Sequence, residues 1–142
     1  MRQNERCNVI EIKEYNENGL ATLVNGGAWD VLMLNYLSRL GHGGVTQLHM
    51  HSETKETFVL LAGKVMLLTA TGTDAPEEIS GVMMETGKTY TVDVGVWHGN
   101  VMSEDAKLLL VENSYTTADN TFRKELDAAQ CAHVLSLGEG HF

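Results

Sequence analysis

The chain has 142 residues, 43 % of them hydrophobic, which is enough to bury a real core and is the usual size of one domain. Nineteen acidic side chains against ten basic ones give a formal charge of −9, spread along the whole chain, so its field repels phosphate backbones and anionic membranes. Apolar runs such as Phe58–Ala62 and Val65–Leu68 fall far short of the roughly 20 residues of a membrane helix, and neither nucleic acid nor membrane is expected as a partner.

In chain order, the start Met1-Arg2-Gln3-Asn4-Glu5-Arg6 is polar and lacks the apolar stretch of a secretory signal. Cys7 and Cys131 lie far apart and form no CxxC pair, so both are expected as free thiols in a cytoplasmic protein, with a terminal disulfide as the alternative. Glycines then punctuate the chain and separate short runs rich in Val, Leu, Met, Thr and Tyr, the signature of an all-β sandwich or barrel. Strands are predicted near Cys7–Lys13, Leu20–Val24, Trp29–Leu37, Val45–His51, Thr57–Leu61, Lys64–Ala70, Ile79–Met84, Thr89–Val92, Gly99–Met102 and Leu108–Glu112. The loop Thr71–Glu78 is the most polar connection and is expected at the surface. After Ser114 the pattern changes. Asp119 or Asn120 could cap a helix with Phe122, Leu126, Ala129, His133 and Leu137 on one face, or the tail could begin as an extended arm. No repeat or linker interrupts the chain, so residues 1–142 are read as one domain.

Alternate side chains of a strand share a face, which puts Gln47, His49 and His51 together. Two imidazoles at that spacing can hold one ion. The turn Ser52–Lys55 reverses the chain and brings Glu56 to the start of the next strand, with Phe58, Leu60 and Ala62 on its face. His98 arrives from a distant hairpin after the Gly95 turn. Three neutral imidazoles and one carboxylate suit one divalent transition metal (Mn, Fe, Co, Ni, Cu or Zn) better than Ca or Mg. Two positions of an octahedral ion would stay open for water or a chelating oxygen ligand.

Substrate-binding candidates follow from the same parity. Gln47 lies on the ligand face and could bond a substrate, or be satisfied by backbone. Asn100 and Met102 share the parity of His98, the first as a polar pocket group and the second as an apolar wall. Only one of Asn35 and Tyr36 can face inward, and Asn35 is carried as a candidate. Trp97 should point away from the ion into a core or interface. His42, His133 and His141 receive no role, and Glu53, Glu85, Glu104 and Asp105 read as a solvated face.

The run Gly43-(five residues)-His49-Met50-His51-(four residues)-Glu56-(six residues)-Gly63 resembles the first motif of the cupin superfamily at each defining position. Gly87-(five residues)-Asp93-Val94-Gly95-Val96-Trp97-His98 resembles the second, with Asp93 in place of the usual proline and Met102 in place of a frequent asparagine. The resemblance covers roughly residues 30–113 and implies an RmlC-like jelly-roll, a double-stranded β-helix, that binds metal through His49, His51, Glu56 and His98 and commonly forms a homodimer. Cupins include enzymes and binding proteins, so function has to come from the site. Two readings stand open. One is an enzyme using the metal as Lewis acid on an oxygenated or anionic substrate, of isomerase, lyase or dioxygenase type. The other is a non-catalytic small-molecule binder that uses the metal as an anchor. A titratable non-ligand side chain beside the ligands would favour the first.

Overall fold

The computed structural model describes residues 9–142, which contain ten strands, one α-helix and a single 3-10 turn at Ser38–Leu40. The strands are β1 (Leu20–Asn25), β2 (Trp29–Asn35), β3 (Gln47–His51), β4 (Glu56–Ala62), β5 (Val65–Ala70), β6 (Ile79–Met83), β7 (Thr89–Val92), β8 (Trp97–Met102), β9 (Lys107–Asn113) and β10 (Thr121–Glu125). The helix, α1, spans Ala128–Gly138. All pairings are antiparallel, in two five-stranded sheets ordered β1-β2-β9-β4-β7 and β10-β3-β8-β5-β6. Apart from β1–β2 and β5–β6, neighbours in these sheets are not consecutive in sequence, so the chain crosses repeatedly between layers, as in a jelly-roll.

Side-chain alternation divides the core in two. Leu32, Leu34, Phe58, Leu60, Val65, Leu67, Met102, Leu108 and Leu110 fill the space between the sheets. The opposite parity of the second sheet, with Leu48, Met66, Leu68, Trp97 and Val101, packs against Leu126 and Val134 beneath α1. β8 is therefore buried at every residue, because both of its faces are covered. Each fully buried aliphatic or aromatic side chain contributes about 1.5–3 kcal/mol relative to exposure. Gly63 closes the tight β4–β5 turn at φ 69°, where a Cβ would sit 2.6 Å from the Ala106 backbone, a position no other residue fills without displacement.

Two predicted segments differ. Cys7 and Asn8 lie outside the described residues, and Val9–Lys13 does not form the predicted strand. The following carbonyls of Tyr15 and Glu17 are bound by side chains instead of a neighbouring strand: Asn35 Nδ2 donates to both at 2.9 and 2.7 Å, and Lys107 Nζ donates to Tyr15 at 2.6 Å. In the tail, the extended alternative holds first. Thr121–Glu125 forms β10 along the free edge of β3, and the helix begins only after Asp127. Asn120 does not cap it; its side chain closes a turn by accepting from Thr117 N at 2.8 Å and donating to Tyr115 O and Glu53. Among the described residues Cys131 is a free thiol, and no helix is long and apolar enough to cross a membrane.

Candidate metal centre

β3 runs between β10 and β8, and His49 stands directly opposite His98, their rings 4.3 Å apart. His51 ends β3, and Glu56 opens β4 in the other sheet after a turn that Thr54 fastens by accepting from Asn113 N at 3.0 Å. Gly95 adopts φ 77° and donates its N–H to the His51 carbonyl at 2.8 Å, which sets the β7–β8 turn against the end of β3 and delivers His98. The donor atoms of His49, His51, Glu56 and His98 all lie within 4.8 Å of one another.

Whether these four suit an ion can be tested on their hydrogen bonds. His98 Nδ1 donates to Val96 O at 2.8 Å, so in the neutral ring Nε2 presents a bare lone pair, and it faces Glu56 Oε1 at 3.7 Å. His51 Nδ1 contacts the Thr121 hydroxyl at 2.9 Å while Nε2 approaches Glu56 Oε2 to 2.8 Å. Both Nε2 atoms are buried and lack a hydrogen-bond partner of acceptable direction. Lone pairs of imidazole and carboxylate converging on one point repel unless a cation lies between them, and orienting partners such as those behind His51 and His98 are what metal sites employ. The residues fit a divalent ion.

Electrostatics agree. Burial, followed by the charge of His98, pushes His49 down to about 3, with Arg123 adding to the effect, so the ring is neutral and available as a donor. Burial raises the Glu56 carboxyl, but contacts with His51, His98 and Glu112 outweigh it and hold the group well below the usual carboxylate range.

His49, His51 and Glu56 line a cavity of about 720 Å³ that opens between the sheets. Of the predicted substrate residues, Gln47 and Asn100 also line it, and the Asn100 amide oxygen is buried without a partner. Asn35 does not line it. It lies on the opposite parity from Leu32 and Leu34 and spends its amide on Tyr15, Glu17 and Lys107; Tyr36 is the neighbour that packs against the inner core. Trp97 points away from the cluster, as predicted, with its indole N–H 3.3 Å from Thr73 O.

Three residues escaped the sequence reading. Glu112 of β9 lines the cavity, with Oε2 3.9 Å from His51 Nε2. Burial, contact with Glu56 and the charge of Asp30 directly across on β2 raise it to about 8. Arg39, just before Gly41, and Arg123, directly opposite His49 on β10, also line the cavity. The signal for Glu112 was available: it continues the parity of Leu108 and Leu110, two inward residues. For the arginines no local signal exists.

The chain has the cupin fold, and its His₃Glu cluster could bind a metal. No family model and no curated protein sequence matches the chain. Solved structures do match in fold. Pac13 of Streptomyces, bound to uridine, aligns with a TM-score of 0.57 at 11 % identity over 83 % of this chain and 88 % of that one, and Pac13 is described as a nucleoside dehydratase. KdgF from Halomonas sp. aligns at 0.51 and 13 % identity over 70 % and 80 % of the two chains. A cupin-2 domain containing protein from Shewanella frigidimarina aligns at 0.50 and 15 % identity over 80 % and 93 %. At these identities the likeness is one of fold.

Proposed function

We propose that the protein is a metal-dependent enzyme acting on a small oxygenated substrate, with His49, His51, Glu56 and His98 as ligands and Glu112 as the group that transfers a proton. The observation that carries this reading is Glu112, a titratable carboxyl outside the ligand set that faces the ligands inside the same cavity. A purely recognitional site has no need of a half-buried acid there, since withdrawing an ionisable group from water costs stability. When bound, a divalent ion would supply Lewis-acid polarisation of the substrate oxygens. Glu112 holds or accepts the proton at its Oε2 atom, while its neighbour Asp30 disfavours a second negative charge. Asn100 and Gln47 orient the substrate through their amides, and Leu20, Leu32, Leu34 and Leu110 exclude water from its apolar side. The chain is read as one domain that pairs with a second copy.

The test has two parts. Metal content is measured on the purified protein, then after chelation and re-addition, with thermal melts; binding to the folded state alone raises the melting temperature by mass action. His51→Ala is expected to lose the metal and keep the barrel. Glu112→Gln is expected to keep both the metal and the fold. Incubated in D₂O with a panel of 2-hydroxy and 2-oxo acids and followed by NMR, the loaded wild type should exchange or convert at least one member. Glu112→Gln should be slower by about 10²–10⁴-fold. Equal rates in the two proteins, or a loaded wild type inert to the panel, would overturn the enzymatic reading.

A further inference from the structure

The cavity is also lined by cationic side chains. Arg39 and Arg123 both line it, whereas none of the six lysines does. Neither guanidinium has a carboxylate partner among the described residues, in a chain with nearly twice as many acids as bases. Both reach solvent, where an unpaired cation is free to receive an anion, and arginine offers the planar fork that matches a carboxylate or phosphate. The placement of Arg123 is structural: it stands opposite His49 in the β10–β3 register, on the side that carries Thr121 to His51. Asn100, 5 % exposed and with its amide oxygen unpartnered, lines the same cavity. A buried acceptor of this kind calls for a donor on the ligand, such as a hydroxyl.

Charge counting gives the same result. A divalent ion with the Glu56 carboxylate leaves a single positive charge, two guanidiniums add to it, and Glu112 removes at most one, so the cavity stays positive by two charges or more. Such a cavity is complementary to a doubly anionic ligand and poorly suited to a neutral one.

We propose that the substrate is a small hydroxylated organic anion with two acidic groups, one end chelating at the His/Glu cluster and the other held by Arg123 and Arg39. This rests on the metal-dependent reading above and adds the chemical class of the substrate. Arg123 and Arg39 are binding residues for the distal anion, and Asn100 accepts from the ligand hydroxyl.

The probes are malate and lactate, which share a 2-hydroxy acid end and differ in the second carboxylate. Each is titrated calorimetrically into Ni(II)-loaded and chelator-stripped protein. Malate is expected to bind loaded wild type on the order of tenfold or more tighter than lactate. Arg123→Gln should weaken malate by on the order of ten- to a hundredfold and leave lactate unchanged, with Arg39→Gln acting in the same direction. Arg123→Lys, which keeps the charge and loses the fork, should recover part of the malate affinity. Equal affinity of wild type for the two acids, or a malate preference that survives in the Arg39→Gln/Arg123→Gln double variant, overturns the proposal. Ni(II) uptake by the same samples scores the metal reading separately. Without uptake that reading fails, and a preference for malate over lactate in the stripped protein still decides the arginine pair.

Discussion

At the residue scale the site is a contest between groups that want to be charged and surroundings that forbid it. Glu56 and Glu112 lie side by side at the ends of β4 and β9, where Thr57 is already opposite Val111, and only one of the two carboxyls is held ionised. In the metal-free protein this has a measurable sign. Glu112 is raised on folding from 4.5 to about 8, so its contribution to stability is complete below the unfolded value and lost as pH rises through the folded one. Metal-free wild type should therefore lose stability between pH 4.5 and 8 relative to Glu112→Gln, which mimics the protonated acid. Urea midpoints across that range check it, and parallel profiles for the two proteins would contradict it. The ligands themselves were legible in the sequence because their spacing is local: His49 and His51 share a strand, and Glu56 follows one turn later. Glu112 was legible only as an inward parity, since the placement of β9 beside β4 is what sets it against Glu56, and Arg123 was not legible, because it reaches the cavity through the pairing of β10 with β3.

At the scale of elements, strands bounded by glycine turns were found within a residue or two along most of the chain, since turn residues and apolar alternation are written locally. The tail was harder. Thr121-Phe122-Arg123-Lys124-Glu125 is as polar as an exposed helix turn, and it is a strand only because β3 offers an unpaired edge. Asn35 failed for a related reason: parity alone left two choices, and the packing of Tyr36 made the selection. The helix that follows is set by Asp127, which accepts from Gln130 N at 2.8 Å while Gln130 Oε1 accepts from Asp127 N at 3.1 Å. Gln130 also donates to Pro76 O at 2.9 Å, tying α1 to the β5–β6 loop. Asp127→Ala should cost about 1 kcal/mol in urea unfolding. Metal affinity should not change, because α1 covers the face of the second sheet opposite the cavity. A loss of metal would show that the helix shapes the site.

For the whole molecule, the two sheets are covered unequally. The second has α1 on its outer face, while the first presents Trp29 and Leu61, 46 % and 47 % exposed, with Val31, Val59, Leu109 and Val111 on the same parity. A second copy of the chain on that face is the assembly we propose. Light scattering should then report twice the 15.6 kDa of one chain, and Val59→Glu should return the monomer. A wild type that runs as a monomer at micromolar concentration would refute it.

The three imidazoles belong to one sheet and Glu56 to the other. An ion held by all four would rivet the two layers at their seam. Its escape would then require the layers to part there, so the lifetime of the bound metal would report on how often the sandwich breathes, and chelators would act at a rate set by the protein.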